Sequence, residues 1–239
     1  MQDVLHWIFK KMKTFYIHIC VLLTIHIQCQ SAFTRVRADL TSKNNKFILD
    51  SCLAANYHKD SVLYYKGIIA LKLNNINEAK AGCKELMKAY PDFSEAHYLN
   101  GLIYLSGKNY GKSVNEFTML LQKNPKHLKA LYNRALALGL MGEYDKAIED
   151  LTACIALKPF YPLAYYSRAY WQEYLGNYPA AIKDYETTIN LDPKNYDAYF
   201  GLAYIYHGLK SNSKSCEVIN SAIQAGSQIA EDIKDNFCR

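Results

Sequence analysis

Residues 163–178 read LAYYSRAYWQEYLGNY, and six of the sixteen are aromatic: Tyr165, Tyr166, Tyr170, Trp171, Tyr174 and Tyr178. Rings at this density suit four tasks. They can stack nucleic-acid bases, line a cofactor slot, hold an extended peptide, or fill a core. The other chemistry-bearing residues narrow the choice. The seven cysteines form no CxxC pair, and no histidines stand at metal-ligand spacing, so no metal is expected. No Ser–His–acid or Cys–His arrangement and no phosphate loop stands out. His58, His97, His127 and His207 read as ordinary polar or interface residues. Glu149 and Asp150 read as a solvated pair on the exposed face of a helix. An enzyme is therefore not expected, and no cofactor is implied.

The composition allows a buried core. Half of the 239 residues are apolar and 21% are charged, which argues against disorder. Tyrosine, with 21 copies, is the anomaly. The formal net charge of +6 includes Lys10, Lys11 and Lys13 against Asp3; without these four residues it is +4. No run of five basic residues exists, so charge alone gives little support to nucleic-acid binding.

The N-terminus reads as an address. Three lysines precede an apolar run from Phe15 to Ile27. Thirteen residues make about 20 Å of helix, short of a bilayer core of ~30 Å. That length fits the apolar region of a secretory signal, with residues 1–31 removed after Ser31. Met12 is a candidate true start. The expected location is exported: periplasmic, outer-membrane-associated or secreted. The alternatives are membrane association through an uncleaved N-terminal segment, or lipidation at Cys29. In an oxidising compartment Cys216 and Cys238 are a candidate disulfide, although their spacing does not show whether they meet. Cys83 and Cys154 read as small buried apolar residues.

Four of the six prolines, Pro91, Pro125, Pro159 and Pro193, are spaced 34, 34 and 34 residues apart. A fixed period of this size means stacked supersecondary units. Five units follow, starting at Asp60, Ser94, Leu128, Pro162 and Tyr196. Their eighth residues are Gly67, Gly101, Ala135, Ala169 and Ala203; their twentieth are Ala79, Ser113, Ala147, Ala181 and Ser215. All ten are small, as closely crossing helices require. Each unit reads as two helices. In the third, Leu131, Ala135 and Leu138 recur at helical steps, Gly142 breaks the helix, and Ala147, Ile148, Leu151, Cys154 and Ile155 form a second apolar face. Pro159 then forbids continuation.

On these residues the chain resembles the tetratricopeptide repeat (TPR) family over about residues 60–226. YNRALALGLMGEYDKAIED and YSRAYWQEYLGNYPAAIKDY are the clearest copies. The resemblance implies an all-α fold: a right-handed α-solenoid of about five helical hairpins. The divisions expected are 32–59 for an N-terminal segment and capping helix, repeats at 60–93, 94–127, 128–161, 162–195 and 196–227, and a capping helix at 228–239. Phe47, Ile48, Leu49 and Leu53 are available to cover the first repeat, and Ile229, Ile233 and Phe237 to cover the last. The chain's ending is also similar to that of exported bacterial TPR proteins.

In the family the first helix of each repeat lines a concave groove. Carried onto this chain, that places Tyr64, Tyr98, Tyr132, Asn133, Tyr166, Tyr170, Glu173, Tyr174, Phe200 and Tyr204 on a partner-binding wall. Tyrosine at the fifth position of a repeat also commonly packs between neighbouring helices. Tyr165 and Tyr178 fall at core positions, and Trp171 should pack on a neighbouring helix. Arg134 and Arg168 should bond between helices rather than capture an anion. A clamp for a chaperone tail needs lysine and asparagine where this chain has Tyr64, Ile68 and Leu99, so that mode is not expected.

The resulting expectation is a non-catalytic interaction scaffold that holds a protein or peptide partner, with no nucleic acid bound and with the partner's identity open. One alternative is a self-associating structural subunit of a membrane-associated assembly, the oligomeric state being open. The other is a helical-repeat RNA binder, disfavoured by the strict period of 34.

Overall fold

Pro and Gly at fixed intervals, with apolar residues at helical steps between them, require short paired helices. The computed structural model describes residue 30, residues 43–54 and residues 58–238. These residues carry twelve helices and no strand. The expectations for residues 1–29, including Met12, Cys29 and the apolar run, lie outside the described residues, as do the side chains of Phe47 and Ile48. The chain divides into two compact units, residues 1–103 and 104–239.

The first unit contains α1 (Lys43–Ala54), α2 (Lys59–Lys72), α3 (Ile76–Ala89) and most of α4 (Glu95–Ser106). Its core joins Leu63, Ile68, Cys83, Leu86, Leu99 and Ile103, with Leu53 of α1 packed against it. Leu49 is fully buried. The small residue at the eighth position has a visible cause: a Cβ on Gly67 would stand 2.5 Å from Leu99 Cδ2.

The second unit begins at the end of α4 and continues with α5 (Tyr110–Lys123), α6 (Leu128–Leu140), α7 (Tyr144–Leu157), α8 (Pro162–Tyr174), α9 (Tyr178–Leu191), α10 (Tyr196–Gly208), α11 (Asn212–Gln224) and α12 (Gln228–Phe237). Consecutive helices pack as hairpins, α6 on α7, α8 on α9 and α10 on α11. The first helices also touch one another, α6 with α8 and α8 with α10, so they form a row. Ala135, Ala147, Ala169, Ala181, Ala203 and Ser215 are all fully buried at the crossings.

Each first helix ends in the same way. The fifteenth residue of the five repeats (Asn74, Lys108, Gly142, Gly176 and Lys210) has positive φ, between 57° and 84°. This is the left-handed residue that commonly stops an α-helix. Glycine adopts it without strain; Asn and Lys accept a modest cost.

An arginine ladder ties the second unit together. Arg134 donates to both carboxylate oxygens of Asp150 at 2.8 and 2.7 Å, and to Thr118 Oγ1 at 3.2 Å. Arg168 repeats the pattern 34 residues on, with Asp184 at 2.7 and 2.8 Å and Thr152 Oγ1 at 3.1 Å. Each guanidinium thus binds its own repeat's second helix and that of the repeat before. This corrects the expectation for Asp150, which is buried rather than solvated; Glu149 alone remains exposed. The reason is the planar fork of arginine, which pairs with a carboxylate bidentately and lets the ion pair leave water.

At the C-terminus Gly226 has φ 97°, and Ser227 Oγ accepts the Ala230 N–H at 3.2 Å, capping α12. Ala230, Ile233 and Phe237 pack on the last repeat. Ile229, expected in that lid, is 62% exposed. The spacing 230, 233 and 237 defines the inward face, and residue 229 falls at its margin. Cys216 and Cys238 are joined by a disulfide with their Cα atoms 4.6 Å apart, tying α11 to the end of α12. Cys52 is also disulfide-bonded, while Cys83 and Cys154 are free and buried. Burial, and then the nearby Asp150 charge, push the Cys154 thiol up to about 12, so it stays inert.

Candidate functional site

Helix α8 opens with Pro162 in its first turn, where the missing N–H costs nothing. From there Tyr166, Tyr170, Glu173 and Tyr174 follow steps of four, three and one, which places them along one face. That face looks onto α10. Tyr170, Glu173 and Tyr174, with Tyr178 from the start of α9 and Tyr204, Ile205, Gly208 and Leu209 from the end of α10, enclose an open pocket of about 420 Å³. Tyr174 and Tyr204 are 58% and 66% exposed, a large apolar area left in water by a chain with a well-filled core.

The tyrosines are organised rather than loose. The Tyr170 and Tyr174 hydroxyls share a hydrogen bond at 3.3 Å, and their rings lie 5.0 Å apart. Tyr166 stacks on Tyr170 at 6.4 Å and tilts against Tyr185 of α9 at 5.9 Å. Tyr185 is buried and donates its hydroxyl to Glu173 Oε2 at 2.8 Å. Gly201 makes room for that ring, since a Cβ there would sit 2.5 Å from Tyr185 Cζ. Trp171 lies behind the pocket, stacked on Tyr144 at 5.6 Å and edge-on to Tyr170 at 4.8 Å.

This setting moves the ionisable groups. Desolvation raises the Glu173 carboxyl although the Tyr185 bond opposes it. Burial, then the bond to Glu173, raises Tyr185 far above its ordinary range. Tyr166 is raised, first by burial and then by Asp197 and Glu173. Tyr170 is pushed up to about 12, first by its hydrogen bond with Tyr174 and then by desolvation.

A pH prediction follows for Tyr170. A folded pKa above the ordinary value near 10 means that the fold favours the neutral phenol. Its contribution is therefore fully present below about pH 10 and lost as pH rises toward about 12. Tyrosinate absorbance on alkaline titration should show this late step, and Tyr174→Phe should bring it earlier. An unchanged curve in that variant would contradict the shared hydroxyl bond as the leading cause.

The other expected wall residues distribute differently. Tyr64, in the first unit, is half-buried with its edge on Tyr65 and Phe93, and burial raises its pKa. Tyr98 is a correction: it is 7% exposed, buried between helices rather than displayed. Tyr132 shares a hydrogen bond with Ser167 Oγ at 3.2 Å and tilts on Tyr161, joining α6 to the α8 hairpin. Asn133 donates to the Lys129 carbonyl of its own helix at 2.7 Å. Phe200 packs against the C-terminal cluster of Tyr199, Ala203 and Ile219. Most fifth-position aromatics thus serve packing: Tyr132 joins two first helices, Tyr166 meets the second helix of its own hairpin, and Phe200 packs into the C-terminal cluster. The open pocket draws instead on the ninth, twelfth and thirteenth positions of the fourth repeat and the ninth of the fifth.

Two further residues depart from expectation. Tyr178, expected in the core, is 40% exposed and lines the pocket, because the first residue of α9 stands at the rim of the hairpin. Tyr165 is half-buried under the Arg168 guanidinium, 5.7 Å from its ring centre. Leu209, Gly208 and Tyr185 were not singled out in sequence. The spacing of twelve between Glu173 and Tyr185 carries no helix-face signal, since the two lie on different helices.

A second pocket of about 500 Å³ lies among α9, α10 and α11, with Glu186, Lys214 and Glu217 on its walls. Its charges are of both signs. Among the described residues no cluster of three His, Cys, Asp or Glu could hold a metal ion. No helix among them is long and apolar enough to cross a membrane.

Three stretches of the chain match family models of this repeat. Residues 174–210 match one described as "TPR repeat", and residues 128–161 and 61–92 match two described as "Tetratricopeptide repeat". No curated protein matches the sequence. Among solved structures, MamA is similar at 22% identity and TM-score 0.63, over 69% of this chain and 96% of its own. A tetratricopeptide repeat protein from Parabacteroides merdae ATCC 43184 is similar at 19% identity and TM-score 0.64, over 86% and 81%. YrrB, described as a TPR protein with an unusual peptide-binding site, is similar at 16% identity and TM-score 0.61, over 74% and 94%. At these identities the likeness establishes the all-α stacked-hairpin fold.

Proposed function

We propose that this chain, whose helical hairpins are tetratricopeptide repeats at the three matched stretches, is a non-catalytic scaffold that binds a peptide or partner helix at the α8–α10 pocket. The observation that carries this reading is the set of exposed tyrosines, Tyr170, Tyr174 and Tyr204, held around an open pocket on the row of first helices. Tyrosine offers a large ring and a hydrogen-bonding tip at low entropy cost, which suits recognition of a chain with both apolar and polar groups. The peptide-binding site named for YrrB supports the same use of stacked hairpins. The site works in an exported protein: the Cys216–Cys238 and Cys52 disulfides support an oxidising compartment, and the N-terminal apolar run supports export.

The test is a pull-down from an envelope fraction with the wild type and a Tyr170→Ala/Tyr174→Ala/Tyr204→Ala variant. Aromatic anchors at the centre of an interface each contribute about 2 kcal/mol or more. Recovery of the partner should therefore fall by more than about tenfold while the far-ultraviolet spectrum and melting of the variant remain those of a folded helical protein. Equal recovery by the folded variant would remove the pocket from the binding surface.

A further inference from the structure

We propose that the tyrosine pocket receives a positively charged lysine or arginine side chain of the bound peptide, with Glu173 as its counter-ion. This rests on reading the pocket as the peptide site and specifies what that site selects.

The argument starts from an incomplete pair. Glu173 is half-buried, and its carboxylate accepts one hydrogen bond, from the Tyr185 hydroxyl to Oε2. Among the described residues no lysine, arginine or histidine pairs with it, and no basic side chain lines the pocket. The two buried carboxylates among the described residues of this unit are treated differently: Asp150 and Asp184 each hold an arginine bidentately. A desolvated carboxylate without a cation is costly, and a cation that enters beside it removes the cost. An apolar or acidic ligand side chain would raise that cost instead.

The walls suit the same occupant. Tyr170, Tyr174, Tyr178 and Tyr204 line the pocket with Glu173, and a cation within about 6 Å of a tyrosine ring face is attracted by its quadrupole. The chain uses this contact elsewhere. Lys158 stands 5.2 Å from the Tyr161 ring and Lys214 stands 5.3 Å from the Tyr206 ring. Among the described residues no cation lines the pocket. The volume of about 420 Å³ admits a long side chain together with part of its backbone.

The experiment pans a random heptapeptide library, displayed on phage, against the full chain, Glu173→Gln, Glu173→Asp and the Tyr170→Ala/Tyr174→Ala/Tyr204→Ala variant. Wild type should enrich peptides with lysine or arginine at one fixed position. Replacing that residue by norleucine in a synthetic copy should weaken binding about tenfold or more. Glu173→Gln keeps an oxygen acceptor for Tyr185 but removes the charge, and should lose the basic preference. Glu173→Asp keeps the charge and should retain it. Tyrosine-dependent peptides without a basic anchor, or equal affinity of Glu173→Gln for the basic peptides, would overturn this inference and leave the pocket as the peptide site. Selected peptides indifferent to the three tyrosines, or no selection at all, would overturn both.

Discussion

Replacing Arg168 with methionine is expected to lower the unfolding free energy by about 3–5 kcal/mol, the usual loss when one member of a buried ion pair is removed. The Arg168 and Asp184 side chains are 19% and 5% exposed, so methionine would leave Asp184 as a carboxylate with little access to water. It would also strip the Thr152 bond, loosening the fourth repeat from the third. Repeat proteins propagate such a defect, because each unit is held mainly by its neighbours. Urea unfolding followed by helical signal measures the loss. The double variant Arg168→Met/Asp184→Leu should recover most of it, since two apolar groups of similar volume remove the stranded charge. No recovery in the double variant would mean that the loss comes from packing and the Thr152 bond rather than from the unpaired carboxylate. The surface pair Lys146–Glu143, 64% and 47% exposed, provides the contrast: Lys146→Met should cost about 0–1 kcal/mol.

The same ladder shows what the sequence reveals and what it conceals. The period of 34 was legible because backbone constraints repeat: proline after the second helix of four of the five repeats, a small residue at each crossing. Arg134 and Arg168 were readable as inter-helix donors from their shared place in the period. Their acceptors were harder. Asp150 stands beside Glu149, and on one helix the two look alike; only the first helix of the same hairpin, with Arg134 on it, decides which carboxylate is buried. The spacing of sixteen from Arg134 to Asp150 and from Arg168 to Asp184 was a usable signal, as was the threonine sixteen residues before each arginine.

For the site, the sequence separated two populations of tyrosine without placing every member. Tyr170, Tyr174 and Tyr204, which the resemblance to the repeat family implied for the groove wall, line the pocket. Tyr178 and Tyr98 exchange roles against expectation, one exposed at a helix start and one enclosed. Periodicity assigns a residue to a face of its own helix. It does not say whether the adjoining helix covers that face, and for aromatic side chains that reach beyond one turn this decides exposure. The three lysine and asparagine residues in left-handed caps were missed for a related reason. Only glycine advertises positive φ by its identity, and Asn74, Lys108 and Lys210 take it because the hairpin requires it there.

Gly139→Ala is expected to destabilise the protein by about 1–3 kcal/mol, although the same change usually favours a helix by about 1 kcal/mol. The sign is set by Trp171. A Cβ on Gly139 would overlap the Trp171 indole at Cε2 and Cζ2, and would lie 2.7 Å from Nε1. The indole is buried at 6% exposure and is stacked on Tyr144, and its N–H makes no hydrogen bond, so packing alone holds it. It must move for the methyl group to enter. Gly82→Ala in α3 is the matched control: nothing lies within 4 Å of its added Cβ, so the variant should gain up to about 1 kcal/mol. The displacement should also reach the pocket, because Trp171 packs against both Tyr170 and Tyr174. In a Trp7→Phe background, where Trp171 is the single tryptophan, Gly139→Ala should shift its emission toward that of a wetter ring and weaken peptide binding together with stability. Trp171→Phe in the same chain returns space at the crossing and should recover part of the stability lost to Gly139→Ala. A non-additive pair of this kind is the signature of two residues in direct contact. Strict additivity, or a stabilised Gly139→Ala, would show that the α6–α8 crossing accepts a methyl group without moving the indole, and the wall of the tyrosine pocket would then not depend on Gly139.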